Sequence, residues 1–185
     1  MQTLIGRTAV MAGATAGDGR ETVKTLCAGG MNVVMMTHNR VAAEELAAEI
    51  KTAEAPGACV FYVGGHGELP AEQNPAVYEE ILSRFGSVDV IIANTGADGH
   101  RDSIETLDPA ELEKNLNHLA VGAFRMLQTA LPFLKQSKAP RVILMSTVEG
   151  IHGGTQESLC NAIAKGAVAS LAKNAAARLA PTGIT

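Results

Sequence analysis

The chain has 185 residues, 46% hydrophobic and 18% charged, with a formal net charge of −4. That is apolar material for one domain with a substantial core, and too little charge for intrinsic disorder. The acidic balance and the lack of a Lys/Arg run exclude nucleic acid or a membrane surface as the expected main partner, and no apolar run approaches the roughly 20 residues that span a bilayer.

In chain order, Thr8 to Ala12 reads as a short buried strand, followed at once by a turn rich in glycine from Gly13 to Gly19. A helical pattern runs from about Arg20 to Ala28, Gly29-Gly30 stops it, and Asn32 to Met36 reads as a second buried strand. A helix from Val41 to Ala53, an apolar run from Ala58 to Val63 and a helix from Pro75 to Phe85 come next, then a strand from Val88 to Ile92. A long helical stretch covers Asp108 to Lys135 with a break expected near Asn117; a strand from Arg141 to Met145 and a helix from Ser158 to Leu179 complete the pattern. Strands apolar on both faces, alternating with amphipathic helices, predict a doubly wound parallel α/β sheet as a single domain over residues 1–185. The opening residues lack the charged start, apolar stretch and cleavage site of a signal peptide. Cys27, Cys59 and Cys160, odd in number and widely spaced, suit a reducing cytoplasm better than a disulfide framework.

Gly13, Gly17 and Gly19 lie between the first strand and the first helix. Glycine there permits positive φ, lets a pyrophosphate approach the backbone, and leaves the helix N-terminal amides free to receive it. The spacing Gly13-x-x-x-Gly17-x-Gly19 resembles the cofactor loop of the short-chain dehydrogenase/reductase family. Four further stretches agree in order: Ala93-Asn94-Thr95-Gly96, Ser146-Thr147-Val148-Glu149-Gly150, Ala162 to Ala167 around Lys165, and Leu179 to Ile184. The resemblance covers the whole chain. It implies a Rossmann-like fold, hydride transfer between a nicotinamide and a carbonyl or alcohol carbon, and a cofactor held by Gly13, Thr15, Gly17, Asp18, Gly19, His38, Asn39, Arg40, Asn94, Gly96 and Lys165.

The family's reaction uses a tyrosine as proton donor, a lysine that lowers its pKa, a serine on the substrate oxygen and an asparagine in a proton path. Lys165 stands where the lysine is expected, and Thr147, with Ser146 beside it, takes the serine position. Four residues before the lysine stands Asn161, whose carboxamide has no proton equilibrium near neutral pH. Leu119 falls at the asparagine position, and Asn117, two residues earlier, is expected to point elsewhere around the helix. Asp18 replaces a residue usually apolar at the helix end that receives the diphosphate, where a carboxylate suits the empty helix dipole but repels an anion. Thr37-His38-Asn39-Arg40 offers no acid to the ribose hydroxyls, which counts against NAD(H). Arg40, or a charged His38, would meet a 2′-phosphate, so NADP(H) is preferred if any dinucleotide binds, and the site is compatible with none. The segment Gly64-Gly65-His66-Gly67-Glu68 lacks the aspartate the family sets against adenine.

These departures favour a catalytically impaired subunit supporting an oligomer with an active family member. The alternatives are an active NADP(H)-dependent carbonyl reductase or alcohol dehydrogenase with a non-standard proton donor, and a dinucleotide-binding sensor. Glu149 and His152 are the candidates for a substitute titrating group, with ordinary loop side chains as the plainer reading. Cys160 reads as a structural thiol rather than a nucleophile, His118 as a helix residue near a subunit interface, and no His or Cys spacing suggests a metal site. The chain stops where the family enters a sixth strand, so either more polypeptide or another subunit is expected to cover that edge. The resemblance implies pairing with a second subunit through the helices from Asp108 to Lys135 and from Ser158 to Leu179, with Leu127, Ala130, Leu131, Ala167, Leu171 and Ala175 as contacts.

Overall fold

The computed structural model describes residues 4–64, 70–96, 103–152 and 159–185. Its core is a five-stranded parallel sheet in the order β3-β2-β1-β4-β5, built from β1 (Thr8–Ala12), β2 (Asn32–Thr37), β3 (Cys59–Val63), β4 (Val90–Ala93) and β5 (Arg141–Leu144). Side chains alternate between two cores. Val10, Ala12, Val34, Met36, Ile91 and Ala93 face one; Ala9, Met11, Val33, Met35, Val90 and Ile92 face the other. Both sets are buried, as expected of a parallel sheet covered on each side. Helices α1 (Gly17–Ala28) and α2 (Arg40–Thr52) cover the second core through Val23, Cys27, Ala43, Leu46 and Ile50. Helices α3 (Pro75–Phe85), α5 (Gly122–Leu134) and α7 (Leu159–Leu179) cover the first.

Local chemistry explains most boundaries. Helix α3 begins where the Asn74 side chain accepts from the Ala76 amide and Pro75 takes the first turn; it ends at Gly86, whose φ of 80° closes it left-handed. Asn39 and Asp108 cap α2 and α4 (Pro109–Asn115) in the same way. Helix α1 starts three residues before the sequence pattern predicts, because its cap is Ala16, which carries no side-chain acceptor to mark the boundary. The predicted break near Asn117 is a π-helical segment, Leu116–Val121, between α4 and α5. Three short elements among the described residues escape the sequence pattern: 3₁₀ turns at Ala71–Gln73 and Ala180–Thr182, and α6 (Glu149–His152), predicted as loop. β3 and β5 are only half-buried. At the β5 edge the Val142 amide donates to Thr185 O at 2.9 Å, and Ile184 is buried. Among the described residues no helix is long and apolar enough to cross a membrane.

At the base of the sheet Asp89, inside the run predicted as strand from Val88 to Ile92, is a polar pin. Its carboxylate accepts from the buried Thr8 amide at 2.9 Å, from Ser87 Oγ at 2.6 Å and from Ser137 Oγ at 2.5 Å. Burial pushes its pKa up, but the hydrogen bonds from Ser137, Ser87 and Thr8, helped by Arg7, outweigh it and hold the carboxyl below its ordinary value.

Candidate functional site

In an open α/β sheet the natural crevice lies beyond the carboxyl ends of the strands where the strand order reverses, here between β1 and β4. Gly13 leaves β1 with φ of 71°, and a Cβ there would lie 2.4 Å from Asn94 O at the end of β4. Asn94 Nδ2 in turn donates to Gly13 O at 3.1 Å, so the glycine loop is tied to the β4 terminus. Gly17 has φ of 52° with open space where a side chain would be. Gly19 serves packing: its Cβ would fall 2.0 Å from Gly13 O. Thr15 is half-buried within the loop and Gly96 lies exposed after β4. The backbone is therefore shaped to admit an approaching group at the start of α1.

The charge there is of the wrong sign. Asp18 stands exposed in the first turn of α1, and its Oδ1 accepts the Gly19 amide at 3.1 Å. It occupies a donor that an anionic ligand would otherwise use.

Ser146 and Thr147 follow β5, and Asn161 lies one helical turn before Lys165 in α7, so the expected constellation is brought together. In it Lys165 and Ser146 are already engaged with backbone carbonyls. Lys165 is 7% exposed, and its Nζ donates to Thr95 O at 2.6 Å and Met145 O at 2.8 Å, joining the tips of β4 and β5. Burial holds its pKa below the usual lysine value, and the negative field of Asp18 opposes that shift. Ser146 Oγ donates to Lys165 O at 2.8 Å, and Thr147 is half-buried beside it. Helix α6 crosses α7 at a contact that the sequence did not suggest: a Cβ on Gly150 would lie 2.7 Å from Gly166 N, and one on Gly166 would lie 3.0 Å from Gly150 O. Of the candidates for a substitute titrating group, Glu149 is half-buried and His152 exposed on α6.

A cavity of about 550 Å³ opens beside this constellation, bounded by Ala12, Ala93 and Thr95 at the strand ends and by the 3₁₀ turn and π segment. His38, Lys114, His118 and Arg125 line it, with Glu72 opposing them. Asn117 and His118, both on the π segment, line this cavity. Leu119, at the position of the family's asparagine, is buried. Asn39 spends its side-chain oxygen on the Ala42 amide at 3.1 Å, and Arg40 is exposed, pairs with Glu44 at 3.6 Å and lies 5.9 Å above the Phe61 ring. The missing adenine aspartate falls at residues 65–69, outside the described residues; Gly64, which precedes them, sits against His38.

The chain's two tyrosines lie on other elements than Lys165, whose Nζ bonds neither. Tyr78 is buried in α3 and donates to Glu72 O at 3.0 Å; Tyr62 is on the edge strand β3. Burial pushes both phenols up, Tyr62 to about 12. Cys160 is buried in the first turn of α7. Among the described residues no group of three or more His, Cys, Asp or Glu is placed to hold a metal ion.

A second concavity of about 370 Å³ lies between α5 and α7, lined by Phe124, Leu127, Leu131, Leu171, Ala175 and Leu179 among others. Of the contact residues expected from sequence, Leu127, Leu131, Leu171 and Ala175 border it. Ala130 is instead fully buried in this chain's own core, while Phe124, 47% exposed, was not anticipated.

A sequence model of the family described as short chain dehydrogenase matches residues 7–185. The chain is 32% identical over 157 residues to the peroxisomal multifunctional enzyme type 2 of Drosophila melanogaster, covering 80% of this chain and 25% of that protein, so it spans only a quarter of that enzyme's length. It is 31% identical over 182 residues to the 3-oxoacyl-(acyl-carrier-protein) reductase FabG of Staphylococcus aureus, covering 97% of this chain and 71% of the reductase. Among solved structures, NAD+-bound xylitol dehydrogenase superposes with a TM-score of 0.85 at 20% identity, covering 99% of this chain and 68% of that one. L-sorbose reductase from Gluconobacter frateurii, complexed with NADPH and L-sorbose, gives 0.84 at 18% identity, covering 100% and 68%. At these identities the likeness is one of fold.

Proposed function

Because the chain belongs to the short-chain dehydrogenase/reductase family of oxidoreductases, we propose that it is a subunit whose reaction has lapsed while its fold and a partner-binding face persist. The observation that carries this reading is the position of its phenols. Hydride chemistry on a carbonyl needs a proton donor beside the lysine; Asn161 occupies that place and both tyrosines lie elsewhere with raised pKa values. Removing a positioned acid costs about 10²–10⁴ in rate. The dinucleotide fits the cradle in shape and not in charge: Gly17 leaves backbone room, but Asp18 fills the amide that would receive a phosphate. No step through a nicotinamide is therefore assigned to this chain.

The apolar hollow between α5 and α7 supports the second half of the proposal, since burying Phe124 and its neighbours against a second subunit of the same fold removes apolar surface from water. A cytoplasmic location belongs to this reading and rests on cysteine usage. One feature favours the rival, an active NADP(H)-dependent reductase: the cations Lys114 and Arg125, with the His38 and His118 imidazoles beside them as hydrogen-bonding groups, suit a ribose 2′-phosphate. Calorimetric titration with NADPH and NADH separates the readings. The proposal expects no binding at micromolar concentration. Tight binding without turnover on ketones or alcohols indicates a sensor, and tight binding with turnover that Lys165→Ala abolishes indicates the active enzyme; either result rejects the lapsed-subunit reading.

A further inference from the structure

Two of the three cysteines, distant in sequence, pack into one core. Cys27 sits fully buried on the last turn of α1, and Cys59 opens the edge strand β3, half-buried. The loop entering β3 is fastened to that turn: Gly57 N donates to Cys27 O at 3.0 Å, a Cβ on Gly57 would lie 2.9 Å from the same oxygen, and the Cys27 thiol donates to Ala58 O at 3.8 Å. Both side chains pack into the same apolar core cluster, where each perturbs the other's titration. Cys160 lies in α7, across the sheet.

We propose that Cys27 and Cys59 form a poised dithiol that closes reversibly to an intrachain disulfide, a redox modification site at the end of α1 opposite the glycine loop. It is independent of the functional reading above. With glutathione disulfide as oxidant, the more accessible Cys59 attacks one glutathione sulfur as thiolate, forming a mixed disulfide and releasing one glutathione. Cys27 then attacks Cys59 Sγ, the mixed bond breaks, and the second glutathione leaves. Two electrons pass from the cysteine pair to the oxidant, and the two thiol protons end on the two glutathiones. The influence of Cys59, with the Val33 amide, outweighs burial and holds the Cys27 pKa below its usual value, which suits it to the resolving step. The influence of Cys27, then burial, pushes Cys59 up, so the first attack is slow at neutral pH and quickens as pH rises.

The test uses the full chain incubated with glutathione disulfide, then non-reducing peptide mapping by mass spectrometry. The expected result is a Cys27–Cys59 crosslink within one chain, Cys160 still open to alkylation after denaturation, and a Tm raised by roughly 5–10 °C, all reversed by dithiothreitol. Cys160→Ser retains the crosslink and Cys59→Ser loses it. Glutathionylation of Cys59 that never resolves, a crosslink to Cys160, a crosslink between chains, or unreacted Cys27 and Cys59 overturns the proposal.

Discussion

Asparagine at position 18 keeps the oxygen that accepts the Gly19 amide and removes only the charge. A phosphate received by that amide would stand about 5 Å from the carboxylate, given ordinary hydrogen-bond lengths. Asp18 is exposed, so a dielectric near that of water applies, and each phosphate charge is repelled by about 0.8 kcal/mol. A diphosphate carries two such charges, giving about 1.6 kcal/mol, or roughly 15-fold in affinity. Helix α1 loses about 0.3–1 kcal/mol of favourable interaction with its dipole in exchange. Asp18→Asn is therefore expected to bind NADPH about 15-fold more tightly than the parent at low ionic strength, measured by isothermal titration calorimetry, while urea unfolding records a small loss of stability. The gain shrinks at high salt, because the repulsion is screened. An unchanged affinity at low salt, or a gain indifferent to salt, would refute the electrostatic account of this site.

Asp89→Ala strands the buried Thr8 amide and frees two serine hydroxyls, which is expected to cost about 2–4 kcal/mol in urea unfolding. Because its folded pKa is depressed, Asp89 stabilises the fold above the ordinary aspartate pKa, and that contribution is lost as pH falls through the folded value. The stability curves of parent and variant should converge in acid; a constant gap across pH contradicts the assignment. Gly13→Ala combines a left-handed φ with a Cβ 2.4 Å from Asn94 O and should cost more than about 2 kcal/mol, whereas Gly86→Ala, at φ of 80° with open space around it, should cost about 1. Equal costs at the two sites would remove the steric argument. Phe124→Glu, in the hollow between α5 and α7, should reduce the assembly size seen by sedimentation; an unaltered mass excludes that face as the interface.

The strands and helices were legible where local chemistry and hydrophobic period agree. β1 matches the predicted run from Thr8 to Ala12, and α3 is bounded by a capping Asn74 and a left-handed Gly86, both visible as residue types. Helix α1 was read short because its first residues are glycines with no capping side chain ahead of them. The site was legible as a set of positions and not as a set of bonds. Lys165 and Ser146 could be placed by motif, but their engagement with the carbonyls of Thr95, Met145 and Lys165 depends on strands meeting in space. Asp89 was absorbed into an apolar run, although its charge is met by three hydrogen bonds that only the folded chain brings together. The meeting of Cys27 and Cys59 depends on the loop before β3 folding back onto α1, which cysteine spacing does not encode.

β4 is fastened by opposite charges at its two extremities, an anion beneath and the Lys165 cation above. The cation bridges carbonyls just beyond the ends of two strands, so it has structural work even when no sugar hydroxyl is offered to it. A lysine with such a second employment is hard to discard: its removal would splay the strand tips whether or not any chemistry takes place there. An ammonium group at this location is thus poor evidence of turnover by itself, and the neighbouring residue that moves the proton is the one to consult.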